Sequence, residues 1–273
     1  MPYQETIIEA GQKDTHYLED LYHYRELFYL FAWRDISVRY KQTVLGIAWA
    51  IIRPLLTMVV FSIVFGKLAR LPSEGNTAYP ILVFSALLPW HFFASSLQES
   101  SNSLVSNEKL ISKVYFPRMI IPASSVIVSF VDFLFAFLVF SGIMVYYRFL
   151  PDMKIFLLPL FMGIAFISSL GMGLLVGSLN VKYRDFRHVI PFIIQVGLYI
   201  SPVGFSTTLI PEKYRILYSL NPMVGIIDGF RWCILGTSLR WESVWISLVI
   251  SILIFTIGFK HFRKTENYFA DLI

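Results

Sequence analysis

Four polar side chains stand inside long apolar runs of the sequence: Arg53, His91, Asp132 and Gln195. A charged group facing lipid costs about 2.5–3.5 kcal/mol, so such residues turn inward, pair, or line wet paths. Arg53 lies about nine residues into the first run, roughly 13 Å at helical rise. Asp132 lies about twelve residues into the third, roughly 18 Å by the same rise. Both runs point the same way, so the two charges fall at similar depth and are expected to pair. His91, standing alone, reads first as a hydrogen-bonded structural residue and only second as a ligand. This is the chemistry of a polar path through a membrane, not of bond making.

Catalytic patterns are missing. There is no G-x-x-x-x-G-K-[ST] to cradle nucleotide phosphates, no H-E-x-x-H and no G-x-S-x-G. The run GMGLLVG at 171–177 has no lysine after it and lies in an apolar segment, so it reads as close helix packing through small residues. Cys233 is the one cysteine, which excludes an intrachain disulfide and a multi-cysteine metal site. No metal, no cofactor and no enzymatic activity are expected of this chain. Work done on a cargo must draw on a partner or an ion gradient.

The elements that would hold these residues are membrane helices. The chain has 273 residues, 56% of them hydrophobic and only 15% charged, with 25 Phe, 15 Tyr and 6 Trp. Mean hydropathy is +0.63. Soluble domains carry about 25% charged residues. The composition excludes a disordered chain and points to an all-α integral membrane protein. A helix crosses a bilayer with about 20 apolar residues. Six stretches meet that length: 44–66, 79–98, 120–147, 155–179, 189–206 and 243–260. The opening MPYQETIIEA has neither a basic region nor an apolar one, so no cleavable signal peptide is read there. Fourteen Lys and Arg fall on the side of the termini and eight on the other, which places both termini in the cytoplasm. The chain thus divides into a cytoplasmic segment 1–43, a membrane bundle 44–260 and a cytoplasmic tail 261–273. The net charge of +5 is explained by this topology and requires no nucleic acid.

Three features lie outside the spans. Residues 17–42 form a helix with Leu21, Leu27, Phe28 and Phe31 on one stripe and Arg25, Glu26, Arg34 and Arg39 on a wet side. Such a helix anchors in the membrane interface and can also shape a dock for a partner. In ESSNSLVSNEKLISKVYFPRMIIP, Ser106 or Asn107 is placed to cap a short helix running to Lys113. That helix is either a protein contact or a solvated turn. The stretch 222–235 is too short to span; Asn221-Pro222 starts it and Gly236 stops it. It either re-enters the membrane, where non-helical backbone must be covered by protein or line a wet cavity, or lies flat on the outer surface.

Four segments together resemble one family. They are RDISVRYKQTVLGIAWAIIRPLL (Leu45, Gly46, Trp49, Pro54), LISKVYFPRMIIPASSV (Lys113, Phe116, Pro117, Arg118, Pro122), NVKYRDFRHVIPFIIQVGLYISPVGFS (Pro191, Ser201, Pro202) and SLNPMVGIIDGFRW. With the ending ENYFADLI, they resemble ABC-2 type polysaccharide-export permeases in order and over nearly the whole chain, closest to the O-antigen (lipopolysaccharide) branch. Arg53 departs from the pattern, which has an uncharged polar residue there.

The resemblance implies a homodimer of six-span subunits above two separate ATPase subunits. Those subunits would bind ATP and magnesium, and the dimer would export lipid-linked polysaccharide across the bacterial inner membrane. It implies an interface helix carrying Arg25, Phe28, Phe31, Trp33 and Arg34. It implies ATPase coupling through Asn107, Glu108, Lys109, Leu110 and Lys113, and through Tyr183, Arg184 and Asp185. Arg53, His91, Asp132, Gln195 and Tyr199 become channel-lining candidates. Asn221, Pro222, Asp228, Arg231 and Trp232 become external-gate candidates. The other readings are a teichoic-acid, capsule or drug permease of the same architecture, a gradient-driven transporter, and a membrane-embedded glycosyl- or acyltransferase. The gradient-driven transporter would need inverted repeats, and none is visible. The transferase would need a catalytic carboxylate or His at an interface, and the cytoplasmic loops do not offer one.

Overall fold

A computed structural model describes residues 17–41, 46–74 and 77–269 of the chain. The signal-peptide reading of residues 1–10 and the last four residues of the ENYFADLI ending lie outside the described residues. All regular structure among the described residues is helical. In order, the helices are α1 (Tyr17–His23), α2 (Arg25–Lys41), α3 (Gly46–Phe61), α4 (Tyr79–Ser106), α5 (Glu108–Ile111) and α6 (Ile120–Tyr146). They continue as α7 (Leu158–Lys182), α8 (Phe186–Ile200), α9 (Glu212–Tyr218), α10 (Pro222–Leu235) and α11 (Trp241–Thr265).

Among the described residues, five stretches are long and apolar enough to cross a membrane: Ile51–Leu68, Tyr79–Ser106, Ile120–Tyr146, Met153–Lys182 and Trp241–Tyr268. The first owes its length to wide π turns over Ser62–Leu68 that prolong α3. The stretch 189–206 behaves differently. Its helix α8 stops at Ile200 after 15 residues, and Ser201 turns the chain into extended backbone. Fifteen residues rise only about 22 Å.

Sequence chemistry explains where the elements end. α4 runs eight residues past the apolar stretch that ends at Gln98, through the polar SSNSLVS. Its hydroxyls and amides bond back to the helix: Ser101 and Asn102 to the Gln98 carbonyl, Ser103 to that of Ser100. Side chains that usually compete with a helix are here satisfied by the helix's own carbonyls.

α4 is the centre of the bundle, packed by α6, α7 and α10. Phe84, Phe92 and Leu87 are fully enclosed there. The 171–177 glycines bring helices into close approach. A Cβ on Gly171 would meet the Phe255 backbone at 2.4 Å, and one on Gly258 the Gly171 carbonyl oxygen at 2.1 Å. On another face, a Cβ on Gly173 would meet Ser100 Oγ at 1.9 Å. Gly171 thus joins α7 to α11, and Gly173 joins it to α4. α3 and α8 cover least: Leu56, Val59 and Val60 of α3, and Phe192, Tyr199 and Ile200 of α8, are exposed.

Candidate functional site

At one end of the bundle the two ends of the described chain meet the turn between α4 and α6. α5 is a single helical turn, ending at Ile111 rather than at Lys113. Neither Ser106 nor Asn107 caps it by a side-chain bond. The Asn107 amide is otherwise engaged: Nδ2 donates to the Ser103 carbonyl at 2.8 Å, and Oδ1 accepts from Arg34 at 3.0 Å. Ile111 and Phe116 are buried anchors, while Glu108, Lys109 and Lys113 are exposed and Leu110 is half-buried. An apolar anchor beneath charged tips is what a docking turn needs.

The α1–α2 stretch packs directly on this turn. Phe31 is buried edge-on against Phe116, ring centres 5.6 Å apart, and the Arg34 guanidinium lies over the Phe31 ring at 5.0 Å. Leu21, Leu27 and Phe28 join the protein core. The expected apolar stripe therefore exists, but it covers α6 and the turn rather than lipid alone. A second apolar face, with Tyr22, Tyr29, Leu30 and Trp33, stays exposed beside Arg25. Two apolar faces explain why the aromatics spread around the helix.

A cleft of about 620 Å³ separates the turn from the α7–α8 junction. Asn102, Ser106 and Glu108 line one wall, and Asn180, Arg184, Arg187 and His188 the other. Asn180 Nδ2 fixes the walls together by donating to the Ser101 carbonyl at 3.0 Å and to Asn102 Oδ1 at 3.2 Å. Arg184 is exposed, as are its chain neighbours Tyr183 and Asp185, with the Lys182 ammonium over the Tyr183 ring at 5.1 Å. The structure thus brings the two expected coupling stretches to one cleft.

The sequence reading missed Glu266. This buried carboxylate accepts from the Arg118 backbone N–H at 3.1 Å and from the Tyr17 hydroxyl at 3.3 Å, and it pairs with Arg263 at 3.4 Å. Its backbone carbonyl also accepts from the Arg118 guanidinium. Only its place in ENYFADLI drew notice; no spacing rule connects residues 17, 118 and 266.

The expected Arg53–Asp132 pair does not form. Asp132 pairs with Arg39 at 3.1 Å and accepts from the Tyr40 hydroxyl, and Arg39 also reaches Glu99 at 3.1 Å. The error lay in measuring depth from the start of each apolar run. α2 runs beside α6, from Phe31 against Phe116 just ahead of that helix to Tyr40 against Phe135 midway along it, so α2 delivers its own cation to Asp132. Arg53 is exposed on α3. His91 Nε2 is buried and makes no hydrogen bond among the described residues. Gln195 and Tyr199 lie exposed on α8, and Tyr199 stacks on Phe61 with ring centres 6.2 Å apart.

At the opposite end, α10 begins at Asn221, whose side chain accepts from the Met223 N–H at 3.0 Å, with Pro222 in the first turn. It ends at Gly236, whose φ of 69° suits a residue without Cβ. α10 is enclosed along nearly its whole length by α4, α7 and α11. It runs beside only the start of α11: Trp232 meets Trp241, and the Gly225 N–H donates to Ser247 Oγ at 3.0 Å. A helix lying flat would leave one face open, and this one does not.

Arg231, only 1% exposed, donates to the carbonyls of Phe205 at 2.9 Å and Val203 at 3.2 Å, with Glu74 4.0 Å away. It thereby satisfies the extended backbone that follows α8. Asp228 accepts from Thr207 in the same stretch at 3.1 Å. Trp232, half-buried, carries the Lys154 ammonium over its ring at 5.3 Å. The Lys154 backbone N–H, then its ammonium, hold Asp152 below the usual carboxylate range.

A helical bundle with five bilayer-length apolar helices among the described residues, an enclosed short helix at one end and an exposed charged turn at the other is the architecture of a multi-pass membrane protein. Residues 26–235 match the ABC-2 type transporter family, and the chain belongs to that family. It is 27% identical over 241 residues to the O-antigen export system permease protein RfbA of Klebsiella pneumoniae, covering 88% of this chain and 92% of that protein. Its identity to RfbA of Myxococcus xanthus is 24% over 216 residues, 78% and 82% of the two chains. Its identity to the inner membrane transport permease YadH of Escherichia coli K12 is 26% over 196 residues, 68% and 75%. The chain is thus an ABC-2 permease related to O-antigen export permeases.

Proposed function

We propose that the chain is the permease subunit of an exporter that carries lipid-linked polysaccharide, O-antigen on undecaprenyl diphosphate, across the bacterial inner membrane. The observation that carries this reading is the match to O-antigen export permeases over almost the full length of both chains. Two copies of the chain would assemble with two separate ATPase subunits, which bind ATP and magnesium. The open apolar faces of α3 and α8 suit a second copy. Glu108, Lys109 and Lys113, with the cleft beside them, suit contact with the ATPase. ATP binding would displace the turn, and the rigid helices would carry that displacement toward α10, which acts as the external gate. Arg53, Gln195 and Tyr199, exposed on α3 and α8, would line the path. Polar and aromatic walls let a glycan slide because many weak contacts exchange without one deep trap. A second reading, a permease for another cargo, rests on the likeness to YadH.

The test is deletion and complementation in the native host. Loss of the chain should trap undecaprenyl-linked glycan on the cytoplasmic side, and the restored chain should release it and co-purify with a P-loop ATPase. Normal surface glycan without the chain would move the cargo to the second reading. Purification with no ATPase under gentle detergent would sink both.

A further inference from the structure

We propose that Glu266 is a positioning residue for transport, a joint that makes the exit of the α5 turn move as one body with α1 and α11. The proposal rests on the reading of α5 as the ATPase contact. Its physical basis is the convergence of three remote stretches on one buried carboxylate. Arg118 follows the turn by seven residues and is bound twice, by its N–H to Oε1 and by its guanidinium to the Glu266 carbonyl. Tyr17, at the start of α1, donates to the same Oε1. Arg263, one turn back on α11, pairs with Oε2 and lies over the Tyr17 ring at 3.6 Å. Tyr17 in turn packs edge-on against Phe259 of α11.

The link between the turn and this joint is short. Residues 112–115 are exposed, but Phe116 and Pro117 are buried next to Arg118, and Pro117 fixes its own φ. A shift of α5 therefore has six residues to cross before Arg118, the last two held in the core, and Arg118 passes it to Glu266. The bundle does not need the joint to hold α11, because the Gly171–Gly258 approach and the α10 contacts already fix that helix. A carboxylate that joins elements already held by other contacts is better suited to transmission than to assembly.

The test uses the full permease–ATPase complex. Per assembled complex, Glu266→Ala should leave ATP hydrolysis unchanged while export of the host's undecaprenyl-linked glycan falls about tenfold, a usual size for a coupling free energy; the amount assembled falls as well, because the Arg118 N–H and the Tyr17 hydroxyl lose their acceptor. Glu266→Gln, which keeps acceptors for Arg118 and Tyr17, should recover part of the export. Tyr17→Phe removes one donor and keeps the ring under Arg263; it should lower export in the same direction with assembly intact. It decides the matter if Glu266→Ala fails to assemble. Full export in Tyr17→Phe and in every Glu266 variant that assembles would overturn the joint. So would a loss of export that only follows a loss of assembled complex. If the unaltered chain retains no ATPase, the permease reading itself fails and the joint fails with it, an outcome distinct from failure of the variants alone.

Discussion

The two ends of the bundle handle polar groups in opposite ways. Around α10, charge is enclosed: Arg231 is buried and serves two backbone carbonyls, and Asp228 is almost buried against Thr207. Around α5, charge is presented, the enclosed Glu266 beside Arg118 excepted: Glu108, Lys109 and Lys113 are exposed above the buried Ile111 and Phe116. Enclosed polar groups are costly to disturb because each lost partner leaves a desolvated atom behind. Presented ones can change with little effect on stability. The difference separates a region whose polar residues maintain its shape from one whose polar residues are available to a partner.

The largest expected effect is therefore at Arg231. Arg231→Ala leaves the Val203 and Phe205 carbonyls without their donor and Glu74 without its cation, at a cost of about 3 kcal/mol or more. Arg231→Lys keeps the charge but not the planar fork, and should fall between the two. Thermal unfolding of the purified protein in detergent measures both. If Arg231→Ala unfolds like the unaltered chain, the contrast between the ends is wrong.

Helix packing sets the next effect. Gly258→Ala places a Cβ against the Gly171 carbonyl, where a shift of backbone is required. A cost of about 1–3 kcal/mol is expected from overpacking. Gly142→Ala, with open space around it, should cost less than Gly258→Ala in the same unfolding experiment and serves as the control.

How much of this was legible in the sequence follows from the range of the interactions. Apolar length is local, so five of the runs reappear as helices of bilayer length. The start and stop of α10 were legible because Asn221-Pro222 and Gly236 act on their own backbone. The partner of Asp132 was not. It depends on how far up α6 the helix α2 climbs, which no spacing within α6 encodes. The uncapped start of α5 was missed for a similar reason: Arg34, 73 residues earlier, holds the Asn107 side chain. Glu266 and Arg118 are 148 residues apart and meet only once the bundle has formed.

A smaller effect is expected where the two regimes meet. Arg39 bridges Glu99 and Asp132, and all three are partly exposed. Solvent screening then limits Asp132→Asn to about 1 kcal/mol. The amide can still accept from Tyr40, so the loss should be mainly the ionic part and should shrink as salt rises. A loss that persists in high salt would place Asp132 with the enclosed groups instead.

The smallest stability effect and the most specific functional one should coincide at the α5 turn. Glu108 and Lys109 are exposed, and neither makes a side-chain ion pair among the described residues. Reversing both charges, Glu108→Lys with Lys109→Glu, keeps the net charge and should leave unfolding within about 0.5 kcal/mol. The order of charge along the turn is nonetheless inverted, and a partner that reads that order meets like charge at both positions. Retention of the ATPase should fall while the permease remains folded. Arg231→Lys provides the opposite case: reduced stability with the ATPase still bound to whatever remains folded. If the double reversal destabilises the bundle, or leaves the ATPase bound as before, the exposed charges of α5 do not serve recognition, and the cleft residues Arg184 and Arg187 become the next to reverse.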